Sequence, residues 1–209
     1  MKKSFWQEAQ PHVLAIGIFL IVSIFFCMPA LQGLVVNQHD MLGWKAGAQQ
    51  SYEYAYQHGQ FPLWTNSMFG GMPGYQIAMP APQVLTLSIF KKICALWLPE
   101  PISYFFVACW CFYLLCMVLR LNPWIGIAGA LAYSFSTYDP IIIAVGHVTK
   151  MEAIAYAPGL IAGLLLIFRK KYLTGAALLM FFMGLQTSTN HLQVIYYTGI
   201  TAGIISVGY

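Results

Sequence analysis

The chain has 209 residues, of which 59% are hydrophobic, 16% aromatic and only 8% charged, with a mean hydropathy of +0.68. A soluble domain carries about 25% charged residues, so this composition excludes a water-covered globule, a disordered segment, a collagen and a disulfide scaffold, and points to a bilayer. Ten Lys+Arg against six Asp+Glu give a net charge of +4, a small excess that fits anionic lipid headgroups as partners and speaks against nucleic acid.

The first apolar run, Val13 to Leu31, is longer than the core of a signal peptide and no A-x-A-like cleavage site follows it, so it reads as a retained first span. Further windows of spanning length run from Ile102 to Leu119, Trp124 to Val145, Ala153 to Phe168, Leu173 to Ser188 and Leu192 to Val207. The expected fold is therefore all-α: a polytopic transmembrane helix bundle of about six spans. It forms one membrane domain over residues 1–209, with residues 32–101 as a large extracytoplasmic loop between the first two spans. The fourth and fifth windows are short and are expected to extend into their polar flanks. Asp139-Pro140 is expected to end a helix near Tyr138 and start a second piece, because proline lacks a backbone donor and restricts the residue before it. The end at Tyr209, on an apolar run, is what the N-terminal part of a longer protein would show. Of the five cysteines, Cys27, Cys109, Cys111 and Cys116 stand in apolar runs, and none has the spacing of a metal site.

Orientation follows the cations. With a cytoplasmic N-terminus, the inner side holds Lys2, Lys3, Arg120, Arg169, Lys170 and Lys171, whereas Lys45, Lys91, Lys92 and Lys150 lie outside. Three of the outer four sit in the long loop, which largely escapes the charge rule, so the short loops decide. Among the carboxylates only Glu8 is then inside; Asp40, Glu53, Glu100, Asp139 and Glu152 reach the outer face, with His39, His58, His147 and His191. Any reaction belongs on that face.

Within the long loop, Met41 to His58 reads as a helix with an aromatic face, suited to the membrane boundary. The stretch Asn66 to Tyr75 carries Gly70, Gly71 and Gly74, which either free backbone amides to cradle a phosphate or serve the turn geometry alone. Val84 to Leu98, with Lys91 and Lys92 on an apolar helix, is either an interfacial segment or a cap on the bundle.

The set of Asn37-Gln38-His39-Asp40, Pro62-Leu63-Trp64, Phe69-Gly70-Gly71-Met72-Pro73, Tyr138-Asp139-Pro140, Gly146-His147-Val148-Thr149-Lys150-Met151-Glu152, Ala157-Pro158, Gln186, His191, Gln193 and Tyr196-Tyr197 resembles the bacterial YfhO family of membrane proteins, over nearly the whole chain. That family is similar in architecture to GT-C glycosyltransferases. The resemblance implies an enzyme of the bacterial cytoplasmic membrane that takes a sugar from a polyprenyl-phosphate carrier and passes it to a cell-envelope acceptor on the extracytoplasmic side. It places Asp40 where such enzymes carry a catalytic carboxylate. The second acidic residue many of them carry two positions on is replaced here by Leu42, which weakens a claim for metal at Asp40.

Such a transfer needs a base for the acceptor proton and donors for the departing phosphate. Asp40 is the candidate base, with helix capping as its plainer role. His39 beside it is either a site residue or a solvated loop residue. His147 and Lys150, three apart, would share one helix face and suit a phosphate headgroup, with Glu152 close by; the plain reading is a polar loop. His191 and Gln193 are candidates for headgroup or sugar contact. No cofactor is required. A rival reading gathers His39, Asp40, His147, Glu152 and His191 as N/O ligands of a divalent metal, without tight ligand spacing to support it. Outside enzymes, the alternative is a membrane transporter or lipid-handling protein, and a structural subunit is a third class.

Cysteine-accessibility labelling checks the orientation. Probes at Ser67 and Thr149 are expected to react from the outer side and a probe at Tyr172 from the cytoplasm; reaction of Thr149 from the cytoplasm overturns the topology.

Overall fold

A helix satisfies its own backbone donors and acceptors, so apolar runs without polar neighbours become helices. The computed structural model describes residues 4–74, 77 and 85–209; Lys2, Lys3, Tyr75 and Val84 lie outside the described residues. In chain order the helices are α1 (Phe5–Phe26), α2 (His39–His58), α3 (Leu85–Cys94), α4 (Ile102–Val118), α5 (Pro123–Ser134), α6 (Tyr138–Val145), α7 (Val148–Phe168), α8 (Tyr172–Thr187) and α9 (Leu192–Gly208). A 3-10 turn at Met28–Gln32 follows α1, and a short antiparallel ladder pairs β1 (Trp64–Thr65) with β2 (Met72–Pro73). The fold is all-α in class. Two helices, α1 with 22 residues and α7 with 21, are long and apolar enough to cross a membrane; α4, α8 and α9 are apolar but shorter.

Local chemistry explains the boundaries. Asn122 accepts a hydrogen bond from the Trp124 amide at 2.9 Å and Pro123 follows it at the first helical position, where its missing donor costs nothing. The interruption expected at Asp139-Pro140 falls earlier, over residues 135–137, because Pro140 is accommodated in the first turn of α6 instead of ending a helix. Helix α7 starts five residues before the apolar window and draws Lys150 and Glu152 into its first turns, whereas α8 stays at 16 residues and does not extend.

The helices alternate in direction. His12 on α1 hydrogen-bonds the Tyr113 hydroxyl of α4 at 2.8 Å while Phe26, at the other end of α1, packs on Phe105 near the start of α4. The Arg169 guanidinium, after α7, donates to the Val118 carbonyl at the end of α4. This gathers Arg120, Arg169, Lys170 and Lys171 at one end of the bundle, beside helix C-termini whose carbonyls favour cations. Outside the bundle core much of α1 is uncovered: Ala15, Phe19 and Ser23 form its buried stripe, whereas Phe5, Trp6, Val13, Ile21 and Phe25 are exposed.

The tightest pairing is between α7 and α8. A Cβ on Gly163 would lie 2.5 Å from the Leu179 backbone nitrogen, one on Gly175 would lie 2.7 Å from that of Ile167, and one on Gly159 would lie 2.6 Å from the Phe182 ring. The two backbones therefore meet directly, the contact that small residues spaced by four allow. Above it, Gln186 is 1% exposed and donates to the Ala153 carbonyl at 3.0 Å and to the Thr198 hydroxyl at 2.9 Å, fastening α7, α8 and α9 together.

Replacing Gly163 by leucine is expected to destabilise the fold by about 1 to 3 kcal/mol, the cost of overpacking, whereas Gly17→Ala, at a position with nothing within 4 Å, leaves stability unchanged or slightly raised. Denaturant unfolding of the two variants measures the difference.

Candidate functional site

At the end of the bundle opposite the arginines, one residue sets the geometry. Gly146, between α6 and α7, has φ +115°, and a Cβ there would lie 3.1 Å from both the Gln38 Cβ and the Met41 amide. Only glycine accepts that conformation together with so close a neighbour. The approach is held by Gln38, whose amide donates to the Ile143 carbonyl at 2.8 Å. As a result the start of α2 is pressed against the start of α7, and His147 Nε2 comes within 3.2 Å of Asp40 Oδ2. Both side chains stay about half exposed. Asp40 was expected as a possible cap of a helix starting at Met41; instead α2 begins at His39 with Gln38 before it, and the Asp40 carboxylate turns to His147. In the first turn it still gains from the positive end of the helix dipole.

This pair stands on the wall of a cleft of about 1250 Å³ formed by α2, α3, α4, the start of α7 and the α8–α9 turn. Across it, Lys91 Nζ on α3 meets Glu152 Oε1 on α7 at 2.9 Å, both mostly buried, and the Tyr156 hydroxyl donates to the same oxygen at 3.3 Å. Lys92, Glu100 and Asn190 add to the polar lining. The amphipathic α3 thus lies over the cleft, held by Lys91 and by the Trp110 indole, which donates to the Cys94 carbonyl at 3.1 Å.

The other expected site residues lie elsewhere. Lys150 does not share the cleft with His147: its amine sits over the Tyr138 ring, 5.2 Å from the centroid, in a separate cavity of about 340 Å³ that Gln193 also lines. Helical positions two apart point to nearly opposite sides, which is why Lys150 and Glu152 face different cavities. His191 precedes α9 and its ring accepts from the Val194 amide at 3.4 Å. Burial lowers its pKa below the ordinary value, helped by the charges of Lys150 and His147. His39 is exposed and lines neither cavity.

Gly70 and Gly71 answer to turn geometry. With φ of +73° and +122° they close the connection between β1 and β2, and a Cβ on Gly71 would lie 2.7 Å from the Trp64 indole nitrogen. Among the described residues no group of three or more His, Cys, Asp or Glu side chains is placed to hold a metal ion. What sequence reasoning missed is the role of Gly146, the place of Tyr138 beneath Lys150 and the pairing of Lys91 with Glu152; a glycine directly before a polar helix start was the one visible signal. Comparison with known protein families, characterised proteins and solved structures gave no match to this chain.

If Lys150 and His147 both oppose the charged form of His191, then Lys150→Gln and His147→Gln each raise its pKa toward the ordinary value, so that the ring protonates at higher pH. Histidine NMR titration reads the shift; an unchanged His191 separates the three side chains.

Proposed function

We propose that the chain is part of an integral membrane glycosyltransferase that moves a sugar from a polyprenyl-phosphate carrier to a cell-envelope acceptor at the outer face of the bacterial cytoplasmic membrane. The observation that carries this reading is the meeting of Asp40 and His147 on the wall of a cleft that also holds Lys91, Lys92 and Glu152. The apolar surface and the long apolar helices α1 and α7 support the membrane setting, and the resemblance to the YfhO family supports the reaction class. Six crossings, with α5 and α6 as one broken span, belong to this proposal.

In the reaction an acceptor hydroxyl oxygen forms a bond to the anomeric carbon as the bond from that carbon to the phosphate oxygen breaks. The bonding pair leaves with the phosphate, and the hydroxyl proton passes to Asp40. His147 orients the Asp40 carboxylate, and Lys92 supplies positive charge for the departing phosphate, while Lys91, its charge balanced by Glu152, offers N–H donors to it. Glu152 also holds Lys91 in place, so that the cation is positioned before the carrier arrives. Burial of this pair in the cleft strengthens its field relative to water.

Asp40→Asn separates catalysis from a structural role. The amide keeps the size of the side chain and can still hydrogen-bond His147, but it accepts no proton at neutral pH. The expected outcome is loss of transfer from radiolabelled polyprenyl-phosphate sugars in proteoliposomes, with an unchanged unfolding temperature. Full transfer by the variant removes Asp40 as the base, and absence of transfer by the parent favours a transporter or lipid-handling protein.

A further inference from the structure

The cavity that holds Lys150 is elongated. Its α7 wall is Lys150, Ile154, Ala157 and Ile161, at spacings of four, three and four; its α9 wall runs from Gln193 through Val194, Tyr197 and Thr198 to Thr201. Both helices start at the same end of the groove, so Lys150 and Gln193 lie together at its mouth; below them the α7 wall is apolar, and the Thr198 and Thr201 hydroxyls of the α9 wall donate to carbonyls of their own helix. The eleven steps along α7 from Lys150 to Ile161, at about 1.5 Å each, make the groove about 16 Å long, a length suited to a hydrocarbon chain and not to a sugar. Its width is set from behind by Gln186, which bonds Thr198 on one wall and the Ala153 carbonyl beside the other.

Charge at the mouth has one sign. Lys150 is partly buried, and among the described residues no carboxylate lies within ion-pair distance of it. Of the acids in neighbouring elements, Asp40 is paired with His147, Glu152 with Lys91 on the far side of α7, and Asp139 is buried, with Ser136 donating to it. The titratable groups whose charges bear on one another at this corner are Lys150, His147 and His191. A cation resting on an aromatic face and left without an anion at the top of an apolar groove is built for an anionic headgroup.

We propose that this groove binds one acyl chain of an anionic phospholipid, whose phosphate is held by Lys150 with Gln193 beside it. The groove and the Asp40 cleft share no lining residue, so a lipid held here does not present its phosphate to Asp40 and is a bound partner of the fold, not the sugar donor. The exposed face of α9, with Leu192, Tyr196, Ile200, Ile204 and Val207, puts the groove at the perimeter, where a bulk bilayer lipid enters sideways. The proposal rests on the membrane reading above but not on the transfer chemistry.

Native mass spectrometry of the detergent-purified protein tests it, with phosphatidylglycerol and phosphatidylcholine of equal chain length as probes. The parent is expected to retain phosphatidylglycerol over phosphatidylcholine by about tenfold or more, because both carry the phosphate but the choline cation sets a second positive charge against Lys150. Lys150→Gln brings the two lipids to parity. Ala157→Phe, which fills the groove without touching its charge, lowers retention of both. Lys92→Gln, in the other cavity, leaves selectivity as in the parent, and an unchanged elution profile and unfolding temperature show that each variant is folded. Equal retention of the two lipids by the parent, or unchanged selectivity in Lys150→Gln, overturns the proposal. So does preferential retention of a polyprenyl monophosphate that Ala157→Phe abolishes, since the groove then belongs to the carrier. Because the readout is binding, failure here leaves the Asp40→Asn result untouched, and the reverse.

Discussion

The arrangement of this molecule depends on the direct contact of the α7 and α8 backbones. Gly163 and Gly175 leave no room for a side chain between them, so α7 is drawn into the bundle. In a bilayer the exclusion of water gives no help to helix association, and close backbone approach with its dispersion contacts is what remains. With α7 so placed, α4 covers a second side of it and α9 a third. The partial exposure of Lys150 and Glu152 follows, since they stand where the pairing of α7 with its neighbours opens out.

That opening turns one short polar segment into the margin of two cavities. His147 lies before the helix and is steered by Gly146 toward Asp40; Glu152 faces α3; Lys150 faces α6 and α9. Helical geometry divides Lys150 from Glu152, because residues two apart lie about 200° round the helix. Asp40 and Glu152 thereby each receive a basic partner of their own. Asp40 with His147 stays open to solvent, where the pairing adds little stability, and Glu152 with Lys91 is more buried, where the Coulomb attraction is larger and loss of one partner would strand the other. The open pair is the one able to exchange a proton with a substrate, and the closed pair is the one able to hold its two charges in a fixed orientation.

Much of the helical framework was legible from hydropathy alone. The ends of α4 and α9 fall within a residue of the apolar windows, because in these segments nothing polar competes for the helix ends. The long connection was harder to read. Trp64 stacking over Gly71 and the two-residue ladder depend on contacts between residues seven or more apart, and a glycine that makes room for an indole looks in the sequence like a glycine that makes room for a phosphate. The grouping of Lys150 with His147 shows the same limit: three-residue spacing describes one helix face only when both residues are inside the helix, and His147 precedes it. Asp40, Glu152 and His147 were visible as chemistry-bearing residues, but what joins them is a glycine and an amide, Gly146 and Gln38, whose importance lies in a contact over a hundred residues away in sequence.

Gln186 shows how a polar group deep in such a bundle can serve order without serving chemistry. Its amide reaches two different helices, and Thr198, which it engages, donates in turn to the Val194 carbonyl within α9. A buried amide with unmet donors would be costly, so α9 is held at the one distance from α7 that satisfies both bonds. An apolar residue of the same volume would fill the space but would let α9 slide, since apolar surfaces in contact have no preferred register. The distance fixed in this way is the width of the groove beneath Lys150. Packing at Gly163 and hydrogen bonding at Gln186 therefore act in sequence: the first brings α8 against α7, and the second uses α8 to hold α9 apart from α7 by a set amount.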